Sequence, residues 1–424
     1  MKMKNLLYRF DLLIKYLYIY AYEKKINTDF FKNLYLLHIK CINNFNEITT
    51  YENTSLIKCN ENICINIFNN LIESIKNNGF NEKYPIPVGN NEIIINGAHR
   101  FAICFFYKIN PFFIKNNIKG SMNYNYDFFI NRNIREPLSN AGLPLSYFYC
   151  DAVALEQIKH DDNIRAFILF PVAYKDNDTN IQDIIKQYGF IYYKKKILLN
   201  KTGLKNLIKE CYRNEKWIGG VYPTDTLSNN KTNLCYNDTY TTIYLIHLND
   251  ISTIISMKNK CRDLFNIGKN SLHVSDYQND TFRIASALLN ENSIHYLNNS
   301  VDNISINLKN NLYNYYSKII NNSDDYCVTS SAVLDIYGIR ESKDLDYLHY
   351  DDNDLNISNI SPHKEKWLSF YHTHKHDIIY NPENYFYFNG IKVATLNCIK
   401  NMKKKRNELK DIYDIQLINN INGM

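Results

Sequence analysis

The sequence has no Cys-x-x-Cys pair, no internal repeat of fixed period and no uncharged apolar run of roughly 18 residues. Its ten cysteines occur singly, which argues against a paired-cysteine zinc or redox motif and predicts buried, reduced thiols. Because no segment is apolar enough to cross a bilayer, the sequence predicts no transmembrane helix. We therefore expect a cytoplasmic protein.

The first 25 residues also lack the pattern of a secretory signal. They are rich in Leu, Ile and Tyr, but Arg9, Asp11 and Lys15 interrupt them, and no small-residue cleavage site follows. An amphipathic helix that lies on a membrane surface is the alternative for this segment, since aromatic side chains suit an interface.

Strong charge of one sign is absent as well. The chain has 49 basic and 43 acidic residues, a net charge of +6, and its longest basic run is Lys403-Lys-Lys-Arg406. No helix-turn-helix pattern accompanies that run, so a small phosphorylated substrate fits better than a nucleic acid.

Length and pattern predict several domains. With 424 residues and 45% hydrophobic residues, the chain can bury more than one core. Helical and strand-like periods alternate, which predicts an α+β or α/β multidomain chain. We expect a helical segment at 1–50, a mixed domain with a linker at 51–150, an α/β section at 151–300 and a last domain at 301–424. The turn residues Pro137, Gly142 and Pro144 mark the linker, and residues 223–240 are expected to form a loop.

The most informative pattern lies in the last domain. Ser330-Ser331 is followed by a short helical segment and then by Asp344-Leu-Asp346, whose two carboxylates would point to the same side of a strand. This order resembles the signature of the nucleotidyltransferase superfamily, a Gly-Ser or Gly-Gly turn before a D-x-D strand. Lys410-Asp411-Ile-Tyr-Asp414 is similar to the Lys-Asp-x-x-Asp helix of some bacterial members, namely aminoglycoside-modifying enzymes and abortive-infection toxins.

The resemblance implies a mixed sheet with flanking helices and a role for each residue of the pattern. Asp344 and Asp346 would hold Mg²⁺, Ser330 and Ser331 would contact the triphosphate of ATP or CTP, and Lys403 or Lys410 would neutralise phosphate charge. The chain departs from the family at Ser330, where glycine is usual. A third carboxylate is common on a later strand of the family, and Asp377 is the candidate by order.

A second pattern lies in the first half. Tyr84-Pro-Ile-Pro-Val88, a predicted strand at 92–95 and Asn96-Gly-Ala-His-Arg100 before an apolar helix resemble the ParB and sulfiredoxin-like fold. There a Gly-x-His-Arg or related turn binds nucleotide phosphates, and some members are small-molecule kinases. By this resemblance Gly97, His99 and Arg100 form an anion site, with Arg100 as the forked donor. A helix start whose His and Arg only cap and solvate is the alternative.

Together these patterns predict an enzyme that transfers a phosphoryl or nucleotidyl group from ATP or CTP to a small acceptor. We assign the acceptor as a sugar or alcohol phosphate of surface-glycan synthesis, although no residue specifies it. The alternative is a regulatory or defence protein with a ParB-like domain that binds nucleotide or DNA and a toxin-like or inactive transferase domain. The cluster of His363, His372, His374, His376 and Asp377 is read as a solvated histidine-rich loop, with a zinc site as the alternative.

Overall fold

The computed structural model describes residues 2–45, 47–51, 54–58, 60–120, 124–130, 145–175, 178–301 and 304–422. These residues form a mixed α and β structure with several small sheets, as an α+β chain requires. They divide into two compact units, Met1–His160 and Asp161–Met424, and the finer division into four segments stays a prediction. Within the described ranges no helix has the length and apolar character needed to span a membrane.

The first unit is mainly helical and carries two small two-stranded sheets. Its elements are α1 (Lys2–Tyr8), α2 (Phe10–Glu23), α3 (Phe30–Asn43), β1 (Glu47–Tyr51), β2 (Thr54–Lys58), α4 (Glu61–Asn78), β3 (Ile86–Val88), α5 (Ala98–Tyr107), β4 (Phe113–Lys115), α6 (Tyr126–Ile130) and α7 (Leu145–His160).

Apolar faces of α2, α3, α4 and α5 meet in one core, with Ile19, Tyr35, Phe68 and Ile103 among its buried members. The helix α4 shows how the local sequence sets its ends. The Asn60 side chain accepts a hydrogen bond from the Ile63 N–H at the start, and Gly79 closes the end at a φ of 74°. Apolar residues at helical spacing, from Ile65 to Ile75, predict a helix in this segment, and α4 confirms it.

Ile86-Pro-Val88 reads as a short strand, and the structure confirms it: β3 pairs in parallel with β4. The prediction of a second strand at 92–95 is wrong, because this segment forms only an isolated bridge between Val88 and Ile94. The linker residues Pro137, Gly142 and Pro144 lie outside the described residues.

The second unit contains two larger sheets. Its helices are α8 (Thr179–Tyr188), α9 (Lys201–Cys211), α10 (Asp225–Cys235), α11 (Ile254–Asp263), α12 (Gln278–Leu288), α13 (Glu291–Asn299), α14 (Ile306–Ile319), α15 (Ser331–Ile336), α16 (Glu365–Leu368), α17 (Lys375–Tyr380), α18 (Leu396–Arg406) and α19 (Leu409–Asn422). Its strands are β5 (Ile164–Leu169), β6 (Gly189–Leu198), β7 (Tyr240–Leu248), β8 (Leu272–Val274), β9 (Tyr326–Thr329), β10 (Leu345–His349), β11 (Ile360–Pro362), β12 (Tyr385–Phe388) and β13 (Ile391–Ala394).

The first of these sheets is antiparallel, with the strand order β6-β7-β5-β8. Every residue of β5 is buried, and β7 is buried over most of its length. Such runs of apolar residues without alternation suit strands that are covered on both faces.

The second sheet is mixed, with the strand order β11-β10-β9-β13-β12. The central strand β9 runs antiparallel to β10 and parallel to β13, and all four of its residues are buried. It ends at Thr329, directly before the Ser330-Ser331 turn. The central strand therefore delivers the predicted motif to one edge of the sheet.

The prediction of a loop at 223–240 is wrong, because the helix α10 occupies most of this range. Its buried face consists of small polar residues, Ser228, Thr232 and Cys235. The hydroxyls of Ser228 and Thr232 donate to backbone carbonyls four residues earlier, Thr224 and Ser228. Hydroxyls satisfied in this way can be buried, so a helix face that looks polar in sequence packs inward.

The cysteines of the described residues are free of disulfides, and eight of the nine described are buried. This confirms the expectation of reduced thiols for those positions.

A buried cluster of charged and polar groups lies in the first unit. Asp11, on α2, pairs with Arg9 at 2.7 Å and with Lys15 at 3.1 Å. The Lys15 ammonium also lies 2.7 Å from Nε2 of His38, on α3. Burial and the charge of Lys15 hold the pKa of His38 well below its usual value, so the ring is neutral and its Nε2 accepts from Lys15.

This cluster predicts acid sensitivity of the first unit. An unfolded histidine binds a proton below pH about 6.5, whereas folded His38 does not. Stability should therefore be complete above that pH and fall by about 1.4 kcal/mol per pH unit below it. The midpoint of urea unfolding, measured at several pH values between 7.5 and 5, tests this expectation. Hydrogen exchange of α2 and α3 is the probe, because both tryptophans, Trp217 and Trp367, lie in the second unit and their fluorescence would not report on the first.

The control is His38→Gln, whose amide oxygen can still accept from Lys15 but does not titrate. Its midpoint should change less with pH than that of the wild type. Identical pH profiles for the two proteins would contradict the assignment.

Candidate functional site

The turn between β9 and α15 begins the candidate site. Ser330 has φ 60° and ψ −140°, a backbone conformation that glycine adopts readily and serine rarely does. It stands where the resembled family usually has glycine, so the chain keeps the glycine-type turn although the residue is different. Non-glycine residues in such conformations cost about 1 to 3 kcal/mol and are concentrated at functional sites.

The segment before β10 is fixed by buried hydrogen bonds. Asp335, on α15, is fully buried and accepts from the backbone N–H of Ser342 at 2.7 Å and from its hydroxyl at 3.1 Å. The Asn307 amide, on α14, donates to the carbonyls of Ser342 and Lys343 at 3.1 and 2.9 Å. Asp344 follows directly, so two helices, α14 and α15, fix the backbone just before it.

Asp346 lies on β10 opposite Thr329 of β9, with its side chain 15% exposed. Its Oδ2 is 3.1 Å from Nε2 of His363, and its Oδ1 accepts from the Ser361 hydroxyl at 3.2 Å. Burial acts to raise the pKa of Asp346, but hydrogen bonds from His363, Ser330 and Ser361 outweigh burial and lower that pKa. Asp346 is therefore a fixed, ionised carboxylate.

Asp344 differs from Asp346 because it is exposed and forms no ion pair within the described ranges. Burial of part of the group and the negative charge of Asp346 raise the pKa of its carboxyl, whereas the positive charge of Lys410 opposes this rise. Arg340 is close to Asp344 in sequence and could have been its ion-pair partner, but it binds Asp414 instead. The site thus places two like charges close together.

The structure brings most of the predicted C-terminal residues together. Ser331 is half-buried at the start of α15, and no described group forms a hydrogen bond with its hydroxyl. Lys410 is 65% exposed; its ammonium lies 3.0 Å from Glu408, and its charge acts on Asp344. Both groups are accessible to a ligand.

Lys403 has a different environment from the one expected. Its ammonium is 1% exposed and lies 2.7 Å from Asp414 and 3.2 Å from Asp411. Arg406 adds two hydrogen bonds to Asp411, at 2.8 and 2.5 Å, and Arg340 adds two to Asp414, at 2.6 and 2.7 Å. We call these five residues the C-terminal ion cluster.

Burial acts to raise the pKa of Asp411, but Arg406 and Lys403 outweigh burial and lower it to about 2. The ammonium of Lys403 is consequently engaged by two carboxylates and faces the protein interior. Lys404 and Lys405 are exposed, so the basic run is not uniform. We therefore leave Lys403 out of the candidate nucleotide site.

In the first unit, Gly97 and Arg100 lie together at the start of α5. Gly97 has a φ of 86°, and a Cβ atom at this position would be 2.9 Å from Nη2 of Arg100. Nη1 of Arg100 donates to the carbonyls of Tyr84 and Pro85. Burial lowers the pKa of this guanidinium, and the described residues provide it with no carboxylate partner. It is a candidate anion donor.

His99 turns toward α3 and α4. Its Nε2 lies 3.0 Å from the Tyr35 hydroxyl, and its ring meets Phe68 edge-on at 4.7 Å between centroids. The structure therefore places His99 in the packing behind the Gly97 turn and separates its role from that of Arg100.

The histidines of the last domain do not form a shared site. His363 contacts Asp346, whereas Nε2 of His376 lies 2.8 Å from the Tyr350 carbonyl. Asp377 lies on α17 and accepts from the Asn384 amide at 2.9 Å. Among the residues that the structure describes, no group of three or more His, Cys, Asp or Glu side chains is arranged to hold a metal ion.

Sequence reasoning missed the arrangement around His363, which lies beside Asp346 and contacts both Tyr371 and Trp367. One signal was present: Ile360-Ser-Pro362 follows the D-x-D strand and ends at His363, so a strand next to β10 would bring that histidine to Asp346.

Comparison of the chain with models of known protein families, with curated proteins and with solved structures found no match. The functional assignment depends on the residues and their geometry.

Backbone strain at Ser330 can be measured with two variants. Ser330→Gly and Ser330→Ala both remove the hydroxyl that bonds to Asp346, but only glycine relieves the positive φ. We expect the glycine variant to be more stable than the alanine variant by about 1 to 3 kcal/mol in urea unfolding followed by tryptophan fluorescence. Equal stabilities would show that the turn is unstrained.

The two lysines of the closing motif should behave oppositely. Lys403→Met leaves two buried carboxylates without their shared cation and should cost about 3 to 5 kcal/mol of unfolding free energy. Lys410→Met, at an exposed position, should change stability by no more than about 0.5 kcal/mol. Tryptophan fluorescence in urea measures both variants, and a larger loss for Lys410→Met than for Lys403→Met would contradict the placement of the ion cluster.

Proposed function

We propose that the second unit binds a magnesium complex of ATP or CTP and transfers a nucleotidyl or phosphoryl group to a small acceptor. The observation that carries the proposal is the Asp344–Asp346 pair: two carboxylates near each other, one ionised and fixed, the other without a cation partner in the described structure. Like charges held together in this way are stabilised by a divalent cation.

The donor set suits magnesium. Mg²⁺ is usually bound through one or two carboxylates, with waters and substrate phosphates completing six ligands. Asp344 and Asp346 would supply the two carboxylates, and the nucleotide phosphates and water would supply the other ligands. The bound ion would neutralise charge on the phosphates.

The surrounding residues have roles that match such a ligand. The Ser331 hydroxyl and the Lys410 ammonium are accessible to triphosphate oxygens, and Ser330 shapes the turn and bonds to Asp346. In nucleotidyl transfer, the acceptor oxygen bonds to the α-phosphorus, the bond to the β-phosphate oxygen breaks, pyrophosphate leaves and the hydroxyl proton passes to solvent. The protein contributes position and charge.

The first unit offers a separate phosphate site at Gly97 and Arg100. Its support is a partly buried guanidinium, to which the described residues supply no carboxylate, beside a left-handed glycine turn. The ParB and sulfiredoxin-like resemblance gives the same residues a phosphate role, so we propose that each unit binds phosphate and that kinase and transferase steps follow one another. A sugar or alcohol phosphate remains the proposed acceptor.

The double variant Asp344→Ala with Asp346→Ala tests the transferase assignment. Magnesium with ATP or CTP should stabilise the wild type by about 2.7 kcal/mol at 100 times Kd, whereas the variant should lose this stabilisation and nucleotide turnover. Thermal shift and product analysis with and without magnesium measure the two effects.

A matched control removes two exposed carboxylates of the same unit, Asp183→Ala with Asp238→Ala, and should behave as the wild type does. Unchanged turnover in the Asp344 and Asp346 variant would contradict the assignment. DNA binding that falls steeply with salt and ignores both aspartates would favour the regulatory or defence alternative.

A further inference from the structure

A buried histidine lies beside the proposed magnesium site. His363 follows β11, which runs parallel to β10 and places Ser361 opposite Asp346. The side chain of His363 is 5% exposed, and its Nε2 is 3.1 Å from Oδ2 of Asp346. A hydroxyl on β11 and the imidazole that follows this strand therefore contact Asp346.

The hydrogen bonds fix the proton positions on this ring. The ionised Asp346 carboxylate only accepts, so Nε2 of His363 donates to it. Nδ1 of His363 lies 3.0 Å from the Tyr371 hydroxyl, and that hydroxyl lies 2.7 Å from Oγ1 of Thr329. A neutral ring with its proton on Nε2 accepts at Nδ1 from the Tyr371 hydroxyl, which in turn accepts from the Thr329 hydroxyl. Burial raises the pKa of Tyr371, so the phenol keeps its proton.

Because both ring nitrogens are engaged, His363 has no free lone pair for the proton of an acceptor hydroxyl. A general-base role would require the Tyr371 or Asp346 bond to break first. The arrangement instead resembles the way in which carboxylates and histidines around metal ions are oriented by a second layer of hydrogen bonds.

Aromatic packing holds the imidazole in this orientation. The Trp367 ring stacks on His363 with centroids 5.5 Å apart and planes inclined by 19°. The guanidinium of Arg406 lies over the Trp367 ring, 5.8 Å from its centroid, and is itself paired with Asp411. The C-terminal ion cluster thus supports the ring that supports His363.

We propose that His363 is a positioning residue: its Nε2–H, oriented by Tyr371 and Thr329, holds Asp346 as a ligand for the divalent cation in a site with two carboxylates. This inference rests on the proposed function, since it assigns a metal to Asp346. The bonds from His363 and Ser361 take one lone pair on each oxygen of Asp346. Ser330 adds a third bond, so about one of the four lone-pair sites of this carboxylate stays available to a cation.

The test is Mn²⁺ affinity of the full chain, measured by electron paramagnetic resonance with Mn²⁺ alone. His363→Leu should weaken binding roughly 10- to 100-fold. His363→Gln should restore most of the affinity, because its side-chain amide N–H can replace Nε2–H. Tyr371→Phe should lie between the wild type and the leucine variant, since it removes only the group that orients the ring.

Recovery with glutamine separates positioning from packing, because a purely structural role would not depend on a donor at that point. Leucine binding equal to the wild type, or glutamine binding as weak as leucine, overturns the inference. If the leucine variant fails to fold in urea and fluorescence measurements, glutamine and Tyr371→Phe decide: wild-type affinity in Tyr371→Phe, or leucine-like loss of binding in a folded glutamine variant, overturns it.

The Asp344→Ala with Asp346→Ala variant separates a failure of the proposed function from a failure of the role proposed for His363. Mn²⁺ binding that survives in this variant overturns the proposed function, and this inference with it. Binding that needs the aspartates but ignores every change at His363 and Tyr371 overturns the inference alone.

Discussion

The buried ion pairs around Lys403 are the interaction on which the candidate site depends. Lys403, Asp411 and Asp414 are at most 1% exposed, and Arg340 and Arg406 complete their hydrogen bonds. Ions taken from water lose several kcal/mol of hydration each, and only well-formed pairs compensate for that loss. The closing helices α18 and α19 are consequently held in one arrangement, with the cluster between them.

Two connections lead from this cluster to the aspartates. Arg340 belongs to the segment before β10, so its bond to Asp414 restrains the chain that carries Asp344. Arg406 lies over Trp367, which stacks on the ring that donates to Asp346. The D-x-D strand and the Lys-Asp-x-x-Asp helix are far apart in sequence but form one supported site. This explains why the aspartates of the helix motif turn inward while its lysine, Lys410, stays accessible.

The sequence predicted the short helix α15 and the strand β10 because the Ser-Ser turn and the Asp-x-Asp spacing are strong local signals. The central strand β9, Tyr326–Thr329, was not predicted. The role of Lys403 could not be predicted, since four consecutive basic residues give no sign of which one faces inward. That depends on which face of α18 meets α19, a tertiary contact.

The helix α10 and the position of His363 beside Asp346 were not predicted, for a related reason. Ser228 and Thr232 look like loop residues until their hydroxyls are seen to bond to the helix backbone. His363 looks like one member of a histidine-rich stretch until β11 pairs with β10 and brings it to Asp346. In each case a polar residue is buried by a hydrogen bond whose partner the sequence pattern does not identify. The Gly97 turn could be predicted from the sequence, because glycine before an apolar helix is a local signal.

Crystals grown with Mn²⁺ and a non-hydrolysable analogue of ATP or CTP would show, through the anomalous scattering of manganese, whether Asp344 and Asp346 together bind the divalent cation. We expect an anomalous peak within coordination distance, about 2.0 to 2.3 Å, of carboxylate oxygens of both aspartates, with His363 still bonded to Asp346. Bound nucleotide with manganese coordinated elsewhere, and neither aspartate among its ligands, would contradict it.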